Sequence, residues 1–395
     1  VRRFSDTAGP GPPDIKIPSS YRCLGTAGGL DIGSTIYDYV EESRERRPCS
    51  RRIEMTDGSR SEIDRDNVLE KMLGGYRDTQ MLVVAARFGI ADHLAAGPRS
   101  AEELARAAGV HAGALRRVLR ALSGRGVFRE REDERFELTA IGEHLRRDVP
   151  GSVQGLALSY GEPWWWGAWG EVAECVRTGK TAFDLAHGCG LFEFLSRDPK
   201  ASAAFNGNMA AMTLASAERI ASTLDLTGAS TVADVGGGRG VLLAAVLKVN
   251  PTLHGLLCEQ TQVLAEARDY LRSAGVLHCC DVAESDIFSS IPSGADVYLL
   301  KEVLHDWGDE LAGAVLRVCR ASMRAGTRLM VIERLIGPIN QPSEANDVDI
   351  VMLVMTGGLE RTELQFRALI EANGFRLRHT RRTPSGLSVL EAEAT

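Results

Sequence analysis

Residues 230–240 read Ser-Thr-Val-Ala-Asp234-Val-Gly236-Gly237-Gly238-Arg239-Gly240, and Val-Leu-Leu-Ala-Ala-Val-Leu-Lys-Val follows over 241–249. The first part is a short apolar strand that stops at glycines, and the second is an apolar helix. A glycine turn between a strand and a helix is the setting in which a backbone cradles a nucleotide-like ligand. Glycine there permits positive φ and close approach of the ligand. Outward from this turn, strands and helices alternate to the end of the chain. LHGLLCE (253–259), ADVYLLKEV (295–303), TRLMVIERL (327–335) and LSVLEAEA (387–394) read as strands. DELAGAVLRVCRASM (309–323) and TELQFRALIEANG (362–374) read as helices. The pattern predicts a doubly wound, Rossmann-like α/β domain over residues 229–395, with ligands at the carboxyl ends of its strands.

Glu259 closes the strand after the glycine turn, about 20 residues on, where an acid can bind a ribose diol. These features alone suit either a dinucleotide or S-adenosylmethionine, because both carry adenosine. The order Gly-Gly-Gly-x-Gly departs from the G-x-G-x-x-G of dinucleotide sites, and the motif lies mid-chain behind a long helical region. An NAD oxidoreductase is therefore the rival enzyme class.

Ahead of the α/β domain, residues 63–165 predict a helical, winged-helix domain. Ser100 opens SAEELARAAG with Glu103 three residues on, a capping box. HAGALRRVLRALSGRG is a second amphipathic helix, and VFREREDERFELT reads as two strands about a charged turn. A winged helix raises the reading of a DNA-binding regulator, with Arg116, Arg117 and Arg120 available to phosphates. The formal charge of -7 and the mixed charge of the wing oppose it. Residues 166–228 predict linking helices. Trp164, Trp165, Trp166 and Trp169 cluster at their start, and Phe205, Asn206, Met209 and Met212 follow at helical spacing, suited either to a core or to an aromatic-ligand pocket. Residues 1–62, rich in Pro, Gly, Ser and Arg, predict a loosely ordered extension with a basic stretch from Arg44 to Arg52.

Eight cysteines without a C-x-x-C pair read as reduced thiols. There is no apolar run long enough for a bilayer and no apolar core after VRRFSD, so a cytoplasmic protein without membrane or nucleic-acid partners is expected. Asp281, Glu284 and Asp286 alternate without supplying converging oxygen ligands, so no metal is expected.

The chemistry turns on Leu299-Leu-Lys301-Glu-Val-Leu-His305-Asp306-Trp307, at the end of a strand and on the ligand side of the domain. An imidazole there can take a proton from a phenol-like hydroxyl near neutral pH. Taken with DVGGGRG, the acid Glu259, SDIF (285–288) and DIVMLVMTGGLERTELQF (349–366), this stretch makes the chain resemble the small-molecule O-methyltransferases, plant caffeate-type and bacterial polyketide-tailoring, from about Val68 to the C-terminus.

That resemblance implies S-adenosylmethionine as cofactor, a small aromatic acceptor, a metal-independent reaction and a homodimer built on the winged-helix domain. It places Asp234, Gly236 and Gly238 against the methionine part of the cofactor, Glu259 on the ribose, Asp286 and Ile287 beside the adenine, and Lys301 nearby. It makes His305 the general base, flanked by Glu333 and Glu360. Asp306, Met209, Met352 and Met355 are expected to approach the acceptor. Alternatives stay open: Glu333 could cap a strand or pair with Arg334, Glu360 could pair with Arg361, and Met352 and Met355 could be core. The family also contains members that keep the fold and lose methyl transfer. Three departures stand out. Ser285 replaces a glycine, Ile287 stands where an aromatic is common, which predicts looser adenine packing, and Thr356 replaces an asparagine of the plant enzymes.

Overall fold

The computed structural model describes residues 57–395 apart from 148 and 150. The basic stretch Arg44–Arg52 and most of the expected extension lie outside the described residues. Helix α1 (Asp57–Arg87) begins inside the stretch assigned to that extension. Leu69–Thr395 forms one compact unit.

The N-terminal part of that unit continues with α2 (Ile90–Leu94), β1 (Arg99–Ser100), α3 (Ala101–Ala108), α4 (Ala112–Ser123), β2 (Phe128–Glu130) and β3 (Arg135–Leu138). The capping box forms as read: Glu103 N–H donates to Ser100 Oγ at 3.2 Å, and Ser100 N–H donates to Glu103 Oε2 at 2.8 Å. Leu104, Leu119, Leu122, Phe128 and Phe136 build a separate core beneath the three-stranded wing. Arg116 pairs with Glu134 at 3.2 Å and Arg120 with Glu130 at 3.3 Å, so two of the three arginines considered for phosphate contact already hold carboxylates.

Six helices follow: α5 (Gln154–Tyr160), α6 (Pro163–Gly170), α7 (Val172–Thr178), α8 (Ala182–His187), α9 (Leu191–Arg197) and α10 (Pro199–Ala221). Trp164 packs against Phe183 and Phe194, with ring centroids 6.3 and 6.2 Å away, in a core that also takes Met355.

The α/β domain contains β4 (Thr231–Val235), α11 (Val241–Val249), β5 (His254–Glu259), α12 (Leu264–Ser273), β6 (Cys280–Glu284), β7 (Val297–Lys301), α13 (Asp309–Ser322), β8 (Arg328–Glu333), α14 (Glu344–Met355), α15 (Glu363–Ala372), β9 (Phe375–Arg382) and β10 (Ser388–Ala394). Its sheet runs β6-β5-β4-β7-β8-β10-β9. The first five are parallel, and β10 enters antiparallel between β8 and β9. Alternate strand residues feed two cores. Val232, Leu257, Leu299 and Ile332 face α11, while Ala233, Cys258, Leu300 and Val331 face α13 and α15. Burial on both faces explains why these strands read as near-continuous apolar runs. The chain passes from β4 outward to β5 on one side and later returns to β7 on the other, which opens a crevice at their carboxyl ends. Both sequence motifs end at that crevice. Among the described residues, no helix is long and apolar enough to cross a membrane.

Candidate active site

The turn after β4 takes left-handed backbone at Gly236, Gly238 and Gly240, with φ of 68°, 57° and 78°. A Cβ at Gly237 would lie 2.4 Å from Asp234 Oδ2 and 2.7 Å from Leu257 Cδ1. The turn therefore packs against Asp234, whose carboxylate is 1% exposed and finds no hydrogen-bond partner among the described residues. Burial pushes the Asp234 carboxyl up to about 7, with Lys301 pulling the other way. A buried carboxylate without a partner is costly, so this position suits a ligand that brings a cation or donors. Glu259 reaches across the turn: its Oε2 accepts from Gly238 N–H at 2.9 Å and its Oε1 from Gln260 N–H at 2.8 Å. Burial raises its pKa while these two N–H groups lower it.

Beyond β6, Asp286 is exposed and its Oδ1 accepts from Phe288 N–H at 2.9 Å. Ile287 packs toward the core instead of outward. An aromatic side chain stands one residue later. Phe288 meets Trp307 edge-on at 4.8 Å, and Trp307 stacks with Phe192 at 5.4 Å. Lys301, at the end of β7, pairs with Glu302 and donates to Thr213 Oγ1 at 3.2 Å.

His305 follows on a short turn and is 7% exposed. Its Nδ1 lies 2.8 Å from Glu360 Oε1 and 3.7 Å from Glu333 Oε2. A carboxylate only accepts, so Nδ1 carries the hydrogen in the shorter contact and Nε2 is left as the basic nitrogen. Asp306 Oδ1 stands 4.0 Å from Nε2. Burial alone lowers an imidazole pKa, but Glu333, Glu360 and Asp306 outweigh it and raise His305 to about 10. Burial in turn pushes Asp306 up to about 6 and Glu333 to about 7, each opposed by His305.

Each flanking glutamate is itself fixed. Glu333 Oε1 accepts from Val303 N–H at 3.1 Å and Leu304 N–H at 2.9 Å, so it ties the end of β8 to the histidine turn and does not hold Arg334. Glu360 N–H donates to Asp349 Oδ1 at 2.8 Å. Arg361 turns away from Glu360 and donates to the carbonyls of Leu304 at 3.1 Å and Trp307 at 2.8 Å, and to Asp309 Oδ1 at 2.9 Å. It is 1% exposed, and apart from its place beside Glu360 no motif signals this clamp. Leu359 N–H donates to His305 carbonyl at 2.9 Å, and a Cβ at Gly358 would fall 2.0 Å from that oxygen, which explains the glycine.

His305, Glu333 and Glu360 offer three donor atoms within 4.8 Å of one another, a spacing a metal ion could also use. Of the residues expected at the acceptor, Met209 is 37% exposed on α10, Met352 is 9% exposed, and Met355, at 1%, belongs to the core around Trp164.

Residues 169–376 match the model of the O-methyltransferase domain, and residues 70–148 match that of the O-methyltransferase dimerisation domain. The chain belongs to the O-methyltransferase family. It is 38% identical to a mitomycin biosynthesis 6-O-methyltransferase of Streptomyces lavendulae, over 81% of this chain and 92% of that one. It is also 38% identical to a phenazine O-methyltransferase of Lysobacter antibioticus, over 86% of this chain and 99% of that one. Among solved structures, an O-methyltransferase from neocarzinostatin biosynthesis, in complex with S-adenosylmethionine and 2-hydroxy-5-methyl naphthoic acid, superposes with a TM-score of 0.71. That match has 32% identity and covers 80% of this chain and 96% of that one. This O-methyltransferase family member is an S-adenosylmethionine-dependent methyltransferase. The glycine turn without side chains, the partnerless buried Asp234 and the oriented Glu259 fit that cofactor.

Proposed function

We propose that this chain methylates a hydroxyl oxygen on a small aromatic natural product, using His305 as general base and no metal. The observation that carries the reading is the buried His305–Glu360 contact of 2.8 Å, with Glu333 behind it, at the crevice that also holds the glycine turn. In this reading Asp234, Gly236 and Gly238 receive the methionine part of the cofactor. Glu259 takes the ribose hydroxyls, Asp286 and Ile287 border the adenine with Phe288 and Trp307, and Lys301 closes that side. Met209, Met352 and Asp306 border the acceptor, with Met355 behind them. When bound, S-adenosylmethionine supplies an activated methyl group on a good leaving group.

The protein then has two tasks. It must hold the acceptor oxygen in line with the methyl carbon, which supplies much of the rate. It must also remove the hydroxyl proton as the new oxygen–carbon bond forms. His305 Nε2 receives that proton. Glu360 fixes the ring through Nδ1–H, and Glu333 and Glu360 stabilise the resulting imidazolium, as a carboxylate does in a hydrolase triad. The raised basicity of His305 means that the neutral, active imidazole gains population as pH rises.

The same hydrogen bonds support the reading without a metal, although Glu333 Oε2 and Glu360 Oε2 keep no partner among the described residues. Nδ1 spends its hydrogen on Glu360, and Glu333 Oε1 already accepts two backbone N–H groups. The dimerisation domain and the apolar residues that α1 exposes, Leu69, Met72, Leu73 and Tyr76, support a homodimer. The test is transfer of labelled methyl to a panel of phenols and aromatic amines in the presence of EDTA. Labelled ethers are expected. Transfer only to amines, or activity abolished by the chelator, contradicts the reading.

A further inference from the structure

Glu360 supplies the carboxylate that meets His305 Nδ1 at 2.8 Å, so the placement of its own peptide decides whether that bond forms. Bonds at successive residues hold it. Leu359 N–H donates to the His305 carbonyl at 2.9 Å, Glu360 N–H donates to Asp349 Oδ1 at 2.8 Å, and Ile336 N–H donates to the Arg361 carbonyl at 3.1 Å. The first and last of these join backbone to backbone and stand whatever the side chains are. The middle one depends on a side chain that lies eleven residues back in the chain, on α14. A carboxylate that accepts from a peptide N–H makes a charge-assisted bond, about twice as strong as a neutral pair.

The path between Asp349 and Glu360 is short and fixed. Helix α14 ends at Met355, Thr356 N–H and Gly357 N–H both donate to the Met352 carbonyl, at 3.0 and 2.8 Å, and Gly357 takes left-handed backbone with φ of 74°. The chain thus doubles back on the helix it has just left and brings Glu360 N–H to Asp349. Asp349 is half-buried and stands one turn before Met352, on the same face of α14. Glu333 is no substitute for Glu360, because its Oε2 lies 3.7 Å from Nδ1, beyond hydrogen-bond length.

We propose that Asp349 is a positioning residue for methyl transfer: it ties the Glu360 peptide to α14, which keeps Glu360 Oε1 on Nδ1–H of His305 and leaves Nε2 to take the acceptor proton. This rests on the general-base reading above and extends it to a residue that acts through Glu360. Without the Asp349 carboxylate, Glu360 N–H loses its partner, and the segment from Gly357 to Glu360 is tied to α14 only at its start. The imidazole then loses its fixed orientation. The glycine turn and Glu259 are untouched, so cofactor binding stays as it was.

The experiment compares Asp349→Ala, Asp349→Asn and His305→Ala in the full chain. It reads kcat and KM on the best phenol of the panel above and on its ortho-nitro derivative, which is ionised at the assay pH. It also reads the titration of isotope-labelled His305 by NMR in the chain loaded with S-adenosylhomocysteine, which needs no acceptor. On the weakly acidic phenol Asp349→Ala should lose about 10- to 100-fold in kcat, the cost of a misplacement near 1 Å, with KM and cofactor affinity within about 2-fold of wild type. On the ionised phenol kcat should stay within about 2-fold, because no proton has to be removed. Around the ring stand Glu360 from the loop after α14, Glu333 from the end of β8, and Asp306 and Glu302 from its own turn, with Arg361 on the carbonyls behind. Loosening Glu360 alone weakens the hold on the ring proton, so His305 should titrate at lower pH than in the wild type. Asp349→Asn keeps an oxygen that accepts from Glu360 N–H, so it should restore most of kcat and the wild-type titration. If Asp349→Ala does not fold, Asp349→Glu keeps the charge, shifts the oxygen by one methylene and should show the same losses to a smaller degree. Wild-type kcat with an unmoved His305 titration in Asp349→Ala overturns the proposal. So does Asp349→Asn behaving like Asp349→Ala, which makes the charge and not the hydrogen bond responsible. A loss that ignores acceptor acidity in Asp349→Ala alone overturns the positioning role and leaves the general base standing; the same result in His305→Ala overturns both.

Discussion

Replacing Arg361 with Met removes the guanidinium that locks the histidine turn. That group is 1% exposed and bonds the carbonyls of Leu304 and Trp307, while Asp309 anchors it from the surface with a side chain 77% exposed. The exposed partner is screened and contributes little, so most of the loss comes from the buried carbonyls left without donors. Each buried carbonyl left without a donor costs about 1–3 kcal/mol, so the two together cost about 2–6 kcal/mol. For a compact unit of this size that corresponds to a thermal midpoint lower by roughly 3–9 °C. The same change frees the segment that carries His305, and a misplacement of about 1 Å at a reacting group can cost about 100-fold in rate. The assays are a thermal scan and kcat on a weakly acidic phenol, with Arg361→Lys as an intermediate case. Asp309→Asn should lose much less on both measures. A midpoint within about 2 °C of wild type together with normal kcat would refute the claim that Arg361 holds the turn.

Other outcomes follow from the cofactor side and the surface. Glu259→Ala should weaken S-adenosylmethionine binding by roughly 10- to 100-fold, the worth of a charge-assisted hydrogen bond, and unchanged affinity by calorimetry rejects its role on the ribose. Asp234 is buried and its pKa is raised to about 7, so it ionises as pH climbs through that value. A cationic cofactor prefers the ionised form, so Kd should fall between pH 6 and 8 and then level, whereas a flat profile shows that Asp234 does not meet the cation. Leu73, at 78% exposed, and Leu69, at 64%, sit on the apolar face of α1. Sedimentation should give a dimer at micromolar concentration, and Leu69→Glu with Leu73→Glu should give a monomer; a monomeric wild type contradicts the interface.

Much of the α/β domain is legible because its central strands are apolar on both faces, as Val297–Leu300 and Leu329–Ile332 show. The strands that escaped reading are the two edges of the sheet, β6 and β9. The sequence of β9, Phe-Arg-Leu-Arg-His-Thr-Arg-Arg, carries the charges that protect an edge and so lacks an apolar run. Helix α14 is apolar all round from Ile350 to Met355 and so shows no amphipathic period in the sequence. At the site, His305, Glu333 and Glu360 could be named because the motif order identified them. What could not be read were contacts between residues far apart in the chain, such as Arg361 with the Leu304 carbonyl, or Glu333 with the Val303 and Leu304 N–H groups. Backbone groups have no sequence signature, so those bonds appear only once the turn after β7 is placed beside the end of β8. The same holds for Glu302 and Arg334, which are adjacent to recognised residues but meet each other only in the fold.

The central claim is that His305 removes the acceptor proton, and the most direct measurement is kcat of His305→Ala against acceptor acidity. On a weakly acidic phenol the variant should lose about 10²–10⁴-fold, the usual contribution of a general base, with S-adenosylmethionine affinity nearly unchanged. On phenols already ionised at the assay pH the loss should shrink toward nothing. Wild-type kcat/KM should rise with pH through an ionisation whose midpoint lies above that of free imidazole, because Glu333, Glu360 and Asp306 hold the proton on His305. Near-normal turnover of His305→Ala on the weakly acidic phenol, or an equal loss on every acceptor whatever its acidity, would contradict the account.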